Sequence, residues 1–135
     1  IYNHRLNFLL VKIQPDYLVM ERLKEHQNHI GTATVVLHEL YFGCYQLPTS
    51  RKKETIKTYI NDVVTVNIPM YPYNEDAAEW HARERARLQS TDQTPPFVDG
   101  QIAAIAVVNN LILVTRNIVD FHLFSDLQIQ SWHSS

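Results

Sequence analysis

Glycine is scarce, with three in 135 residues. A loop that cradles phosphate with consecutive backbone amides needs several glycines, so P-loop and dinucleotide-binding fingerprints are excluded. Cysteine occurs once, as Cys44. That excludes an internal disulfide and a cysteine-rich zinc site, and it fits a reducing compartment. Neither sign of charge dominates: 12 Lys and Arg face 14 Asp and Glu, a formal net charge of −2. No strong overall attraction to nucleic acid follows, which leaves only a local basic surface for such a role. Long apolar runs are also lacking. The stretch 111–114 is soon broken by Arg116 and Asn117, far short of the roughly 20 residues a membrane helix needs. No signal-peptide pattern, repeat, low-complexity linker or Ser-His-Asp order is found. The seven histidines are scattered, and His26 and His29, on one helix face, have no third ligand in register for zinc.

What is present is globular: 45% hydrophobic and 19% charged residues. The length suits one domain over residues 1–135 with a sizeable core. Residues 1–12 have an apolar second half, broken by polar His4, Arg5 and Asn7 near the start. Pro15 and Asp16 open a predicted helix to about residue 27, with proline and an acid suited to its positive end. Residues 30–36 are β-branched and predict a strand running into a helix over 34–46, with Leu37, Leu40, Tyr41 and Cys44 at core spacing. Ser50 caps a predicted helix to about residue 61. Residues 63–68 (VVTVNI) predict a third strand, ended by Pro69 and Pro72. Asn74, Glu75 and Asp76 start a charged helix to about residue 89, with Glu79 and Arg83 four apart. An apolar helix opens on Asp99, the strand 111–114 follows, and 127–129 reads as a short last strand. Alternating strands and helices predict an α/β fold with a parallel sheet covered on both faces. In such sheets, sites form beyond the carboxyl ends of the strands.

Three acids have that placement. Glu39 and Asp120 follow strands, and Asp99 opens the helix before one. Taken singly, Asp99 reads as a helix N-terminal acid, Asp120 as a turn residue and Glu39 as a solvated helix position. Brought together they would repel, by roughly 4 kcal/mol for a pair at about 4 Å and an effective dielectric near 20. Protonation, a cation partner or a bound metal relieves that cost, and an all-oxygen set selects a hard ion such as Mg²⁺ or Mn²⁺.

The residues Pro96, Asp99, Ile102, Ala103, Thr115, Asn117, Asp120 and Phe121 resemble, in order and spacing, the PIN domain, in particular VapC-type toxins of toxin–antitoxin pairs. Leu40, Tyr41, Phe42 and Gly43 after Glu39, the stretch Asp76-Ala77-Ala78 with His81, and Trp132 near the end extend the likeness over nearly the whole chain. The resemblance implies a three-layer α/β/α sandwich with a mainly parallel central sheet. It implies Glu39, Asp99 and Asp120 as metal-binding acids for Mg²⁺ or Mn²⁺, with Thr115 and Asn117 as hydrogen-bonding support. It further implies an endoribonuclease acting on RNA in the cytoplasm, a homodimer, and a cognate antitoxin whose tail occupies the acidic site. One departure stands out: counted from Tyr2, the family's first acid falls on Arg5, with Leu6 on its Thr and Asn7 on its Asn. An arginine there would neutralise the acids and impair activity, which keeps open a non-catalytic module that binds antitoxin or RNA. Lys52, Lys53, Lys57, Arg83, Arg85 and Arg87 are candidates for RNA phosphates, against a plain solvating role.

Overall fold

The structure, a computed structural model, describes residues 8–11 and 29–132. The predicted helix after Pro15, and Arg5 and Asn7, lie outside the described residues. Strand β1 (Phe8–Leu10) is followed by β2 (Ile30–Ala33) and α1 (Thr34–Tyr45). Helix α2 (Arg51–Tyr59) passes into a π-helical turn (Ile60–Val64) and a last helical turn (Thr65–Asn67). Then come β3 (Met70–Tyr71), α3 (Glu75–Ser90), α4 (Phe97–Val108), β4 (Ile112–Val114), the one-turn α5 (Ile118–Phe121) and β5 (Ile129–Gln130). The five strands form one parallel sheet in the order β3-β2-β1-β4-β5. The chain builds outward from β1 through β2 to β3, then returns to add β4 on the other side of β1. The carboxyl edge between β1 and β4 is therefore the point where strand order reverses, the usual place for a site in an open parallel sheet.

Alternation along the strands sorts the core into two. Leu9 and Leu113, level with each other in β1 and β4, face a cluster with Trp80, Leu88, Ile102 and Phe121, under α3 and α4. Leu10 and Val114, also level, face the opposite cluster with Ile30, Val64 and Trp132. The predicted three-layer α/β/α sandwich with a parallel sheet is thus borne out, and here every described strand pairing is parallel. α4 is covered almost all round: Gly100, Ile102, Ala103, Ala104, Ile105 and Ala106 are buried. Among the described residues, no helix is long and apolar enough to cross a membrane.

The caps read from the sequence hold. Ser50 Oγ accepts from Lys53 N–H at 3.1 Å, and Asn74 Oδ1 accepts from Ala77 N–H at 3.0 Å. Scarce glycine is replaced at the tight corners by Asp92, Asn110 and Asp126, all with φ near +60°, a region Asn and Asp tolerate better than other side chains. One predicted element is wrong. Residues 63–68 are not a strand: 63–67 complete the helical segment, Ile68 leaves it in an extended conformation, and the strand is Met70–Tyr71, between Pro69 and Pro72. Ile60 and Val64 are the buried positions there, four apart as on a helix. Packing of Val64 in the cluster with Leu10 and Ile30 of the sheet overrides the β preference of a valine-rich run.

Candidate active site at the carboxyl edge of the sheet

Leu10 is level with Val114, and Val11 N–H donates to the Val114 carbonyl at 3.1 Å. Beyond them, Thr115 is buried; its N–H donates to Gln130 O at 3.0 Å, and its Oγ1 accepts from Asn117 N–H at 3.1 Å. That side-chain bond bends the chain sharply out of β4. Asn117 then opens α5, and its carbonyl accepts from Asp120 N–H at 3.1 Å. Phe121 is buried against Phe124 and the main core. The buried Phe121 fixes the turn, while Asp120 beside it is exposed.

Asp99 lies in the first turn of α4, which packs against α5. An acid in the first turn of a helix is ordinarily favoured as its anion. Here burial, and then the charge of Asp120 on the adjoining α5, hold the Asp99 carboxyl above its usual range. The structure therefore brings Asp99 and Asp120 together, with Thr115 and Asn117 at the base of the same turn. Glu39 stands apart from this pair. It lies on α1, which packs on α4, its side chain is about half exposed, and a carboxylate oxygen is 2.9 Å from His38 Nδ1. Among the described residues, no group of three His, Cys, Asp or Glu is placed to hold a metal. The donor chemistry of the Asp99–Asp120 pair nonetheless fits a hard divalent cation, which would offset both the burial and the neighbouring charge that raise Asp99.

The register of β1 places Val11 at the carboxyl edge of the sheet. The residue at the carboxyl edge after β1, beside the start of the Thr115 turn, is Val11, half-buried against the main core. Arg5, read from the family spacing as standing at the first acid, lies outside the described residues. An apolar run such as FLLV shows that a strand is present but not where it leaves the sheet. Pairing with β4 decides that. His81, read from sequence as a packing or surface residue, is buried between α3 and α4, with Nδ1 2.9 Å from Tyr73 Oη and its ring 4.8 Å from Phe97.

The fold is that of the VapC-type PIN domain, and the resemblance read from the short motifs is borne out over nearly the whole chain. The chain is similar to ribonuclease VapC2 of Rickettsia felis, 26% identical over 105 residues, which are 78% of this chain and 75% of that protein. It superposes on DNA-bound VapBC from Salmonella typhimurium with a TM-score of 0.83 at 21% identity, covering 95% of this chain and 99% of that one. VapBC2 from Rickettsia felis, bound to a fragment of promoter DNA, matches with a TM-score of 0.80 at 22% identity, covering 95% and 100%. No family profile matches the chain.

Proposed function

We propose that this chain is a VapC-like toxin, an endoribonuclease that hydrolyses RNA phosphodiester bonds with Mg²⁺ or Mn²⁺. The observation that carries the reading is the pairing of Asp99 with Asp120 at the carboxyl edge of a VapC-type sheet, with the Asp99 carboxyl held above its usual range by burial and by its neighbour. A lone helix-start acid or a lone turn acid gives no reason to bring a second carboxylate near a buried one. Asp99 and Asp120 would hold the ion, and Glu39, on the neighbouring α1, would complete the acid set. When bound, such an ion supplies charge stabilisation to a phosphodiester and lowers the pKa of water.

The chain's own groups do the rest. Buried Thr115 and the Asn117 turn hold Asp120 in place, and the Asn117 side chain, exposed at the start of α5, is available to hydrogen-bond substrate. By the same reading the chain is a homodimer in the cytoplasm, silenced by a cognate antitoxin. The protein similar in sequence is named a ribonuclease, and the similar structures are VapBC complexes. The test is cleavage of single-stranded RNA by the purified chain in Mn²⁺. Asp99→Asn is expected to abolish it, and cleavage that survives in this variant rejects the assignment.

A further inference from the structure

Helix α1 carries rings at the spacing that usually marks a core face, yet Phe42 and Tyr45 are turned outward. His38, Tyr41, Phe42 and Tyr45 recur at i, i+3, i+4 and i+7. The buried residues of the helix are instead Val36 and Cys44. Phe42 is 52% exposed and Tyr45 54%. The rings are ordered: His38 and Phe42 lie parallel within 5° at 6.2 Å, and Tyr41 and Tyr45 within 15° at 6.0 Å.

The neighbouring helix supplies charge. Lys53 and Lys57, one turn apart on α2, place their ammonium groups 6.0 and 5.4 Å from the Tyr45 ring centroid. Neither lysine forms an ion pair among the described residues. The arginines of α3 differ: Arg83 is tied to Glu79 and Arg87 to Glu84, each at 2.9 Å. Of the cations that the sequence offers to phosphate, the structure thus neutralises those two on α3 and leaves Lys53 and Lys57, half-buried on α2, without an ion-pair partner among the described residues.

We infer that the α1–α2 face is a track for single-stranded RNA, with a base stacked on Phe42 and backbone phosphates held by Lys53 and Lys57. Tyr45 acts as a positioning residue that holds both ammonium groups by cation–π attraction. Phe42 lies one helical turn from Glu39, so a strand on this track leads to the acid set. Flat exposed rings beside unpaired cations suit single strands, whose bases present their faces, and do not suit a duplex, whose bases are stacked away. The inference takes RNA as the substrate from the proposed function and names the surface that receives it.

The experiment is fluorescence anisotropy of labelled oligouridylate with the full chain in EDTA, where nothing is cut, across a salt series. Phe42→Ala is expected to weaken binding roughly 5- to 150-fold, the range that corresponds to about 1–3 kcal/mol for stacking one base. Lys53→Gln with Lys57→Gln is expected to lower the slope of log affinity against log salt by about 0.7 for each phosphate no longer neutralised. Arg83→Gln is expected to change neither. Binding that is unchanged in both the Phe42 and lysine variants overturns the inference. So does a decrease in the lysine variant alone, with poly-glutamate competing as well as RNA, since that describes a site for an acidic peptide. The Asp99→Asn cleavage test is separate: cleavage abolished there while RNA binding ignores Phe42 rejects this track and leaves the nuclease reading standing. Binding that depends on Phe42, with no cleavage by the wild type, does the reverse.

Discussion

The imidazole of His81 fills the space that a side chain on Gly100 would need. A Cβ built on Gly100 overlaps the ring at Nε2 and Cδ2, and both residues are buried where α3 crosses α4. Glycine costs an apolar helix about 1 kcal/mol relative to alanine, so its place in α4 reflects this close approach. Gly100→Ala is expected to destabilise the fold by about 1–3 kcal/mol through overpacking, measured as a lower midpoint in urea. Adding His81→Ala is expected to return part of the loss. Wild-type stability in the single variant would show that the ring moves freely.

His81 also predicts a pH response. Burial, and then the Arg85 charge, hold its imidazole below the ordinary 6.5. The unfolded chain therefore takes up a proton that the folded chain refuses. This contribution to stability is full above pH 6.5 and is lost as pH falls from there towards the folded value. The histidine resonances in an NMR titration are expected to include one that stays neutral below pH 6.5, absent in His81→Gln.

Glu84 acts lower on the scale. It is 4% exposed, its carboxylate accepts two bonds from Arg87, at 3.0 and 2.9 Å, and one from Ser125 N–H at 2.8 Å. The Arg87 bond, chiefly, holds its pKa below 4.5. Its stabilisation is present above pH 4.5 and is lost as pH drops through that value towards the folded pKa. Glu84→Gln is expected to cost about 1–3 kcal/mol at pH 7, since Arg87 is half exposed and water replaces part of the bond. Its stability is expected to vary less with pH than that of the wild type below pH 5.

Val11 and Arg5 make opposite predictions for metal binding. Val11 follows β1 at the carboxyl edge beside the Thr115 turn. Val11→Asp is expected to tighten Mn²⁺ binding by about tenfold or more, 1.4 kcal/mol, a small part of the attraction between an added carboxylate and a divalent ion. Arg5→Asp is expected to leave it unchanged. Calorimetry with both variants decides the register: tightening by Arg5→Asp alone places Arg5 at the site.

Much of this protein was legible in its sequence because the signals are local. Ser50 and Asn74 cap their helices within three residues, Asp99 and the Thr115-to-Phe121 turn sit in short motifs, and strands alternate with helices along the chain. Local bonds of that kind depend on neighbours in sequence, so residue types suffice. Where the sequence misled, the deciding interactions are distant. Residues 63–67 are helical because Val64 packs in one cluster with Leu10 and Ile30 of the sheet, and nothing in VVTVNI records that surface. Val11 is the edge residue of β1 because Leu10 pairs with Val114, more than a hundred positions away. The meeting of Asp99 with Asp120, the burial of His81 against Gly100 and the outward turn of Phe42 and Tyr45 were likewise settled by helix packing. Residue types fixed which groups could do chemistry here; only the register of a parallel sheet and the packing of helices across it decided which of them meet.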